Sequence, residues 1–142
     1  MRLKTRGFSL IELMIVVAVL AILALIVIPK MSDLIRKGNE AGTRGHLGAV
    51  RGALRIYFLD NEETFPSAIN AILAPGNSYY SGPMPIVFTV QHGKRQAVNE
   101  VLAPAPSADA GEWGYVVSGQ DRGMFWAQCT HTDLNGKVWS QY

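Results

Sequence analysis

The chain has 142 residues, room for one domain and little more, which argues against a multidomain enzyme. Apolar residues make up 49% and charged residues 17%, below the usual quarter, so apolar character is concentrated somewhere in the chain. The balance of +2 is too small to point to nucleic acid, and the single Cys129 excludes an intrachain disulfide and a cysteine-based zinc cluster.

Charge is unevenly placed: residues 1–59 carry nine bases and three acids, residues 60–142 four bases and eight acids. Arg2, Lys4 and Arg6 precede the unbroken apolar run Leu13 to Ile28. Extended back to Phe8 the run has 21 residues, interrupted by Ser9 and Glu12. As a helix it would measure about 32 Å, enough for a bilayer core of about 30 Å. The basic cluster predicts a cytoplasmic N-terminus, with everything after Lys30 on the far side. A removable secretory signal fits poorly, because its apolar region is shorter and no A-x-A-like site follows Ile28. A plain single-pass anchor needs only the basic flank and the apolar run. It leaves Glu12 unexplained, since a carboxylate near the bilayer centre costs about 2.5–3.5 kcal/mol.

The stretch Gly7-Phe8-Ser9-Leu10-Ile11-Glu12-Leu13-Met14, behind a basic leader and ahead of the apolar run, resembles the class III signal of type IV prepilins and type II secretion pseudopilins. The resemblance implies that a prepilin peptidase cuts between Gly7 and Phe8 and methylates the new Phe8 amine. It also implies that Glu12 pairs with the Phe8 amine of a neighbouring subunit during assembly. A carboxylate in lipid is best tolerated beside a cation, which is consistent with that role.

Pro29 lacks the N–H that a continuing helix needs, so a kink or a locally melted turn is expected near residues 25–30. Beyond Lys30 the helical period resumes, with Leu47, Val50, Leu54 and Phe58 on one stripe and Arg44, Arg51 and Arg55 beside it. Gly38, Gly42, Gly45, Gly48 and Gly52 share another face. Each costs about 0.8–1.0 kcal/mol relative to Ala, so either the segment is irregular or close packing by neighbouring subunits compensates.

Asp60-Asn61-Glu62-Glu63-Thr64-Phe65-Pro66 reads as the helix end and a loop, and is similar to the stretch that often ends the long helix in pilins and pseudopilins. Ala68–Leu73 suggests a short helix, and Ile86–Val90 a strand. Pro104, Pro106 and Gly111 mark an exposed loop. Trp113–Ser118, Met124–Thr130 and Lys137–Tyr142 read as three strands of an antiparallel meander. They are joined through Gly119–Gly123 and Asp133-Leu134-Asn135-Gly136. The expected fold is α+β: a long N-terminal helix, half membrane and half amphipathic, packed on a small C-terminal antiparallel sheet. The domains expected are a cleaved leader at 1–7, a helix at 8–58 with its transmembrane half at 8–29, and a head at 59–142.

His46, His92 and His131 show no paired metal-ligand spacing and read as solvated or packed residues. No nucleophile motif is present, and no enzymatic activity is expected. Asp121, Asp133 and Asn135 offer oxygens to calcium, which some major pseudopilins bind; turn formation accounts for the same three residues. No other cofactor is expected. Trp113, Trp126 and Trp139 suit either a core or a binding platform, and Cys129 reads as a small buried apolar residue. Lys94-Arg95 is the one small basic candidate for nucleic acid, against a head balance of −4.

The function implied is that of a structural subunit, held in the inner membrane as a precursor and polymerised with copies of itself into a type IV pilus-like filament on the cell surface. A periplasmic type II secretion pseudopilus and a membrane-anchored binding module are the alternatives. The partners implied are the prepilin peptidase, the inner-membrane assembly platform, the membrane and the chain itself.

Overall fold

The computed structural model describes residues 7–104 and 108–142. The basic leader residues Arg2, Lys4 and Arg6, and the loop residue Pro106, lie outside the described residues. The chain divides into two compact units, Met1–Arg36 and Lys37–Tyr142.

Helix α1, Leu10–Asp60, starts two residues later and ends two residues later than the sequence pattern suggests. Within the first unit the apolar side chains from Phe8 to Ile35 are exposed, and α1 is long and apolar enough to cross a membrane. Helical geometry runs through Pro29 without interruption, so the melted turn expected near residues 25–30 is absent. A proline removes one N–H from the ladder, and the helix continues past the loss of that single bond.

In the second unit the helical stripe forms one wall of the core, with Leu47, Val50, Ala53 and Leu54 buried. Phe58 is half-buried and packs on Phe65 at 4.6 Å between ring centroids. The opposite wall is built from Val87, Trp113, Tyr115, Phe125, Ala127, Cys129 and Trp139. Burying a large apolar side chain contributes about 1.5–3 kcal/mol, so this single cluster is the main source of head stability.

The helix ends in a left-handed bend. Glu62 and Glu63 take φ of 50° and 56°, and the Glu63 N–H reaches back to the Phe58 carbonyl at 3.0 Å. Asn61 caps the same end by donating from Nδ2 to the Tyr57 carbonyl at 2.8 Å. A short helix α2, Asn70–Leu73, follows and buries Ile72 and Leu73.

Strand β1, Val87–Thr89, pairs antiparallel with β2, Gly93–Arg95, on which Lys94 and Arg95 stand exposed. Thr43 on α1 serves this hairpin: its hydroxyl accepts the Phe88 N–H at 2.9 Å and lies 3.2 Å from the Phe88 carbonyl. The main sheet has the order β3-β4-β5, from Val98–Val101, Glu112–Val116 and Phe125–Gln128.

The fold class is α+β, a long helix on a small C-terminal sheet, but the sheet is mixed. β4 and β5 form the expected antiparallel pair, whereas β3 joins the other side of β4 in parallel. Lys137–Tyr142 is not a third strand. It contributes one bridge, Thr132 to Val138, and a 3₁₀ turn at Trp139–Gln141. The reason is local: straight after the bridge the Gln141 and Tyr142 N–H groups bond back three residues to the carbonyls of Val138 and Trp139, which closes a 3₁₀ turn and ends the extended pairing.

Trp113, Trp126 and Trp139 are all at most 1% exposed, which makes them core and not a platform. Gly114 is what admits Trp126. The two residues face each other across β4 and β5, and a Cβ on Gly114 would lie 2.5 Å from the indole ring.

Candidate functional site

Three polar arrangements stand out. The first is at the start of α1. The Ser9 carbonyl accepts the Leu13 N–H at 3.3 Å, which makes Ser9 the N-cap residue, and Glu12 Oε2 accepts the Ser9 N–H at 3.0 Å. This is the reciprocal half of a capping box, in which the third helical residue returns to the cap. Glu12 therefore has a role within its own chain that the sequence analysis did not assign, although Ser9-Leu10-Ile11-Glu12 carries its signature. Gly7 and Phe8 precede the helix in exposed chain.

The second arrangement joins α1 to the C-terminal loop. Asp133 is buried, and its carboxylate accepts from Arg44 Nη1 at 2.9 Å and from the Tyr142 hydroxyl at 2.6 Å. The backbone N–H groups of Asn135 and Lys137 donate to its other oxygen at 2.8 and 2.9 Å. Burial pushes this carboxyl up, but the Tyr142 hydroxyl and the two backbone N–H groups together outweigh it and hold the group below the usual carboxylate range. The Tyr142 phenol is raised in return, first by its hydrogen bond to Asp133 and then by burial.

Both oxygens of Asp133 are thus committed to protein donors, while Asp121 lies exposed in the 119–123 turn. The oxygens that were candidates for calcium have the surroundings of turn residues. Nearby, Glu40 is 1% exposed and accepts the Leu134 N–H at 3.0 Å, a buried carboxylate that periodicity alone did not reveal. Arg51 donates to the carbonyls of Phe125 at 2.9 Å and Tyr142 at 2.6 Å.

The third arrangement brings together residues that sequence spacing had kept apart. His92, Asp109, Cys129 and His131 place one potential ligand atom each within 4.8 Å of one another, and these donors could hold a divalent ion. His46, by contrast, stands alone on α1 and is half-buried. Tyr115 belongs to the core: its hydroxyl donates to the Pro66 carbonyl at 2.7 Å, and burial pushes its pKa up to about 12.

Residues 2–28 match the family described as the prokaryotic N-terminal methylation motif. The chain is 33% identical over 84 residues to the type II secretion system core protein G of Pseudomonas aeruginosa, covering 59% of this chain and 58% of that protein. It is 40% identical over 63 residues to the type IV major fimbrial protein FimA of Dichelobacter nodosus, covering 44% and 40% respectively. It is 36% identical over 78 residues to the type IV major pilin protein PilA of Myxococcus xanthus, covering 54% and 36%. The matched region thus spans between 36% and 58% of the length of these relatives. No solved structure matches. The methylation motif, the exposed apolar half of α1 and these relatives make the chain similar at its N-terminal part to type IV pilins and type II secretion pseudopilins.

Proposed function

We propose that the chain is a subunit of a type IV pilus-like filament, made as an inner-membrane precursor with its N-terminus in the cytoplasm. A prepilin peptidase cuts between Gly7 and Phe8, and Phe8 is methylated. The mature subunit then leaves the membrane through an assembly platform and polymerises with copies of itself. The observation that carries the reading is the methylation motif over residues 2–28, with Glu12 inside an otherwise apolar segment. In this reading the domains are a leader at 1–7, a helical segment at 8–58 whose half at 8–29 sits in the membrane, and a head at 59–142. Helix–helix packing in the filament covers the apolar side chains of α1 that the lone subunit exposes.

The second reading, a periplasmic pseudopilus, is favoured by the match to the secretion protein, which takes in more of this chain than the two pilin matches described above. The pilin and fimbrial relatives, at 36% and 40% identity, support the surface filament. Intact mass of the chain recovered from sheared surface material, and separately from membranes, tests both. Residues 8–142 plus one methyl in the sheared fraction support the pilus, and the same mass confined to membranes supports the pseudopilus. An uncut chain in cells that have the peptidase overturns both.

The glycine stripe yields a paired prediction. α1 is regular through Gly38, Gly42, Gly45, Gly48 and Gly52, and a Cβ added at any of them would meet nothing within 4 Å. Nothing inside the subunit requires glycine there. Gly45→Ala should therefore stabilise the isolated chain by about 0.8–1.0 kcal/mol in thermal unfolding. Gly45→Leu should leave the isolated chain folded and lower filament yield, because close approach of a neighbour is what small residues permit. Normal yield from Gly45→Leu would remove packing as their purpose.

A further inference from the structure

We propose that His92, Asp109, Cys129 and His131 form a binding site for one zinc ion that cross-links three segments of the head. His92 sits in the β1–β2 turn, Asp109 in the loop before β4, and Cys129 and His131 just after β5. His92 Nε2 lies 3.0 Å from Asp109 Oδ1, His131 Nδ1 lies 3.3 Å from the same oxygen, and Cys129 Sγ lies 3.7 Å from His131 Nδ1. With Zn–N and Zn–O bonds of about 2.0–2.1 Å and a Zn–S bond of about 2.3 Å, a tetrahedron has N···O edges of about 3.3 Å and N···S edges of about 3.6 Å. The three observed edges match those values to within about 0.3 Å. No pair of ligand atoms is more than 4.8 Å apart, so closure needs side-chain movement of about 1 Å.

The surroundings hold these donors in place. The Thr130 N–H donates to Asp109 Oδ1 at 3.1 Å, and the His92 N–H donates to Thr89 Oγ1 at 3.3 Å. Gly111 takes φ of +68°, and a Cβ there would lie 2.4 Å from Cβ and Cγ of His92, so the ring occupies space that only glycine leaves open. The two imidazoles meet edge to face at 5.3 Å between centroids.

The donor set selects the metal. Two imidazole nitrogens, one sulfur and one carboxylate oxygen suit a borderline-soft tetrahedral ion, whereas calcium takes six to eight oxygens. Binding forms four metal–ligand bonds and releases the Cys129 thiol proton to solvent. The thiolate and the Asp109 carboxylate then balance the two charges of the ion, with both imidazoles neutral. A chain with one cysteine cannot staple its head with an internal disulfide, and a metal provides an equivalent cross-link. The site lies in the second unit and does not depend on which filament the chain builds.

The test is cobalt titration of the full chain, stripped of metal in detergent micelles, followed by displacement with zinc. The expected result is one equivalent bound, with the intense visible bands of tetrahedral cobalt and a sulfur-to-metal charge-transfer band in the near ultraviolet, both lost on adding zinc. Asp109→Asn and His131→Gln change side chains that are a third or more exposed, so the fold should persist by circular dichroism while affinity drops by about tenfold or more. Cys129→Ser should remove the charge-transfer band. A weak octahedral spectrum without that band, no binding at all, or affinity unchanged in both Asp109→Asn and His131→Gln would each overturn the assignment.

Discussion

Replacing Glu12 by glutamine is expected to abolish filament assembly while leaving the start of α1 intact. The observed bond to the Ser9 N–H and the proposed pairing with a neighbouring Phe8 amine separate in that variant. A capping box works with Glu or Gln, so Glu12→Gln can still accept the Ser9 N–H that Glu12 Oε2 accepts at 3.0 Å. It cannot attract an ammonium group. Removing one partner from a buried ion pair costs about 3–5 kcal/mol, a factor of roughly a hundred or more for each subunit added. Glu12→Ala loses both the pair and the cap, so it should assemble no better than Glu12→Gln and show more fraying at the first turn. Filament yield from cells expressing each variant decides the matter. Wild-type yield from Glu12→Gln beside poor yield from Glu12→Ala would mean that the cap, not the charge, is what assembly uses.

The second large effect concerns Asp133. Its pKa lies below the unfolded-state value of about 3.9, so the folded chain binds fewer protons than the unfolded one. The stability this contributes is fully present above about pH 4 and is lost as pH falls through the depressed folded value. Asp133→Ala should cost about 2 kcal/mol at neutral pH. That is below the range for a fully enclosed pair, because the Arg44 side chain is 31% exposed and partly screened. Denaturant unfolding of wild type and variant at several pH values should show the two converging in acid. At the alkaline end the sign reverses: the raised Tyr142 phenol means that stability falls as pH rises above about 10, and Tyr142→Phe should reduce that loss, leaving the share of the buried Tyr115 phenol. Parallel curves across the acid range would show that Asp133 is not the group responsible.

Much of the head was legible where one rule acted alone. The 3.6-residue period placed Leu47, Val50 and Leu54 on the buried face, and aromatic, β-branched runs located β1, β4 and β5 within one or two residues. Strand β3 escaped because Val98-Asn99-Glu100-Val101 is short, half-exposed and held by pairing to β4, which no local pattern announces. Val138-Trp139-Ser140 looks like strand, and Val138 does make an antiparallel bridge, but bonds from the Gln141 and Tyr142 N–H groups to the carbonyls three residues back turn the rest into a 3₁₀ turn.

The N-terminal site is readable as a motif, and the same Ser9-x-x-Glu12 spacing carries the capping box, a signal masked by the unusual placing of a charge in an apolar run. The His92–Asp109–Cys129–His131 group was hidden by distance along the chain. Its one local trace is Cys129-Thr130-His131, since residues two apart in extended chain lie on one side of it.

The partners of α1 come from far away in the sequence. Arg51 reaches a carbonyl 74 residues on, Arg44 a carboxylate 89 residues on, and Glu40 an N–H 94 residues on. Each such contact closes a long loop before it returns any stabilisation, which slows folding relative to a chain rich in local contacts. A chain interrupted before Phe125 would hold the Leu47–Leu54 stripe without Phe125, Ala127, Cys129 and Trp139, so the segment from β5 onward is needed to close the core over α1.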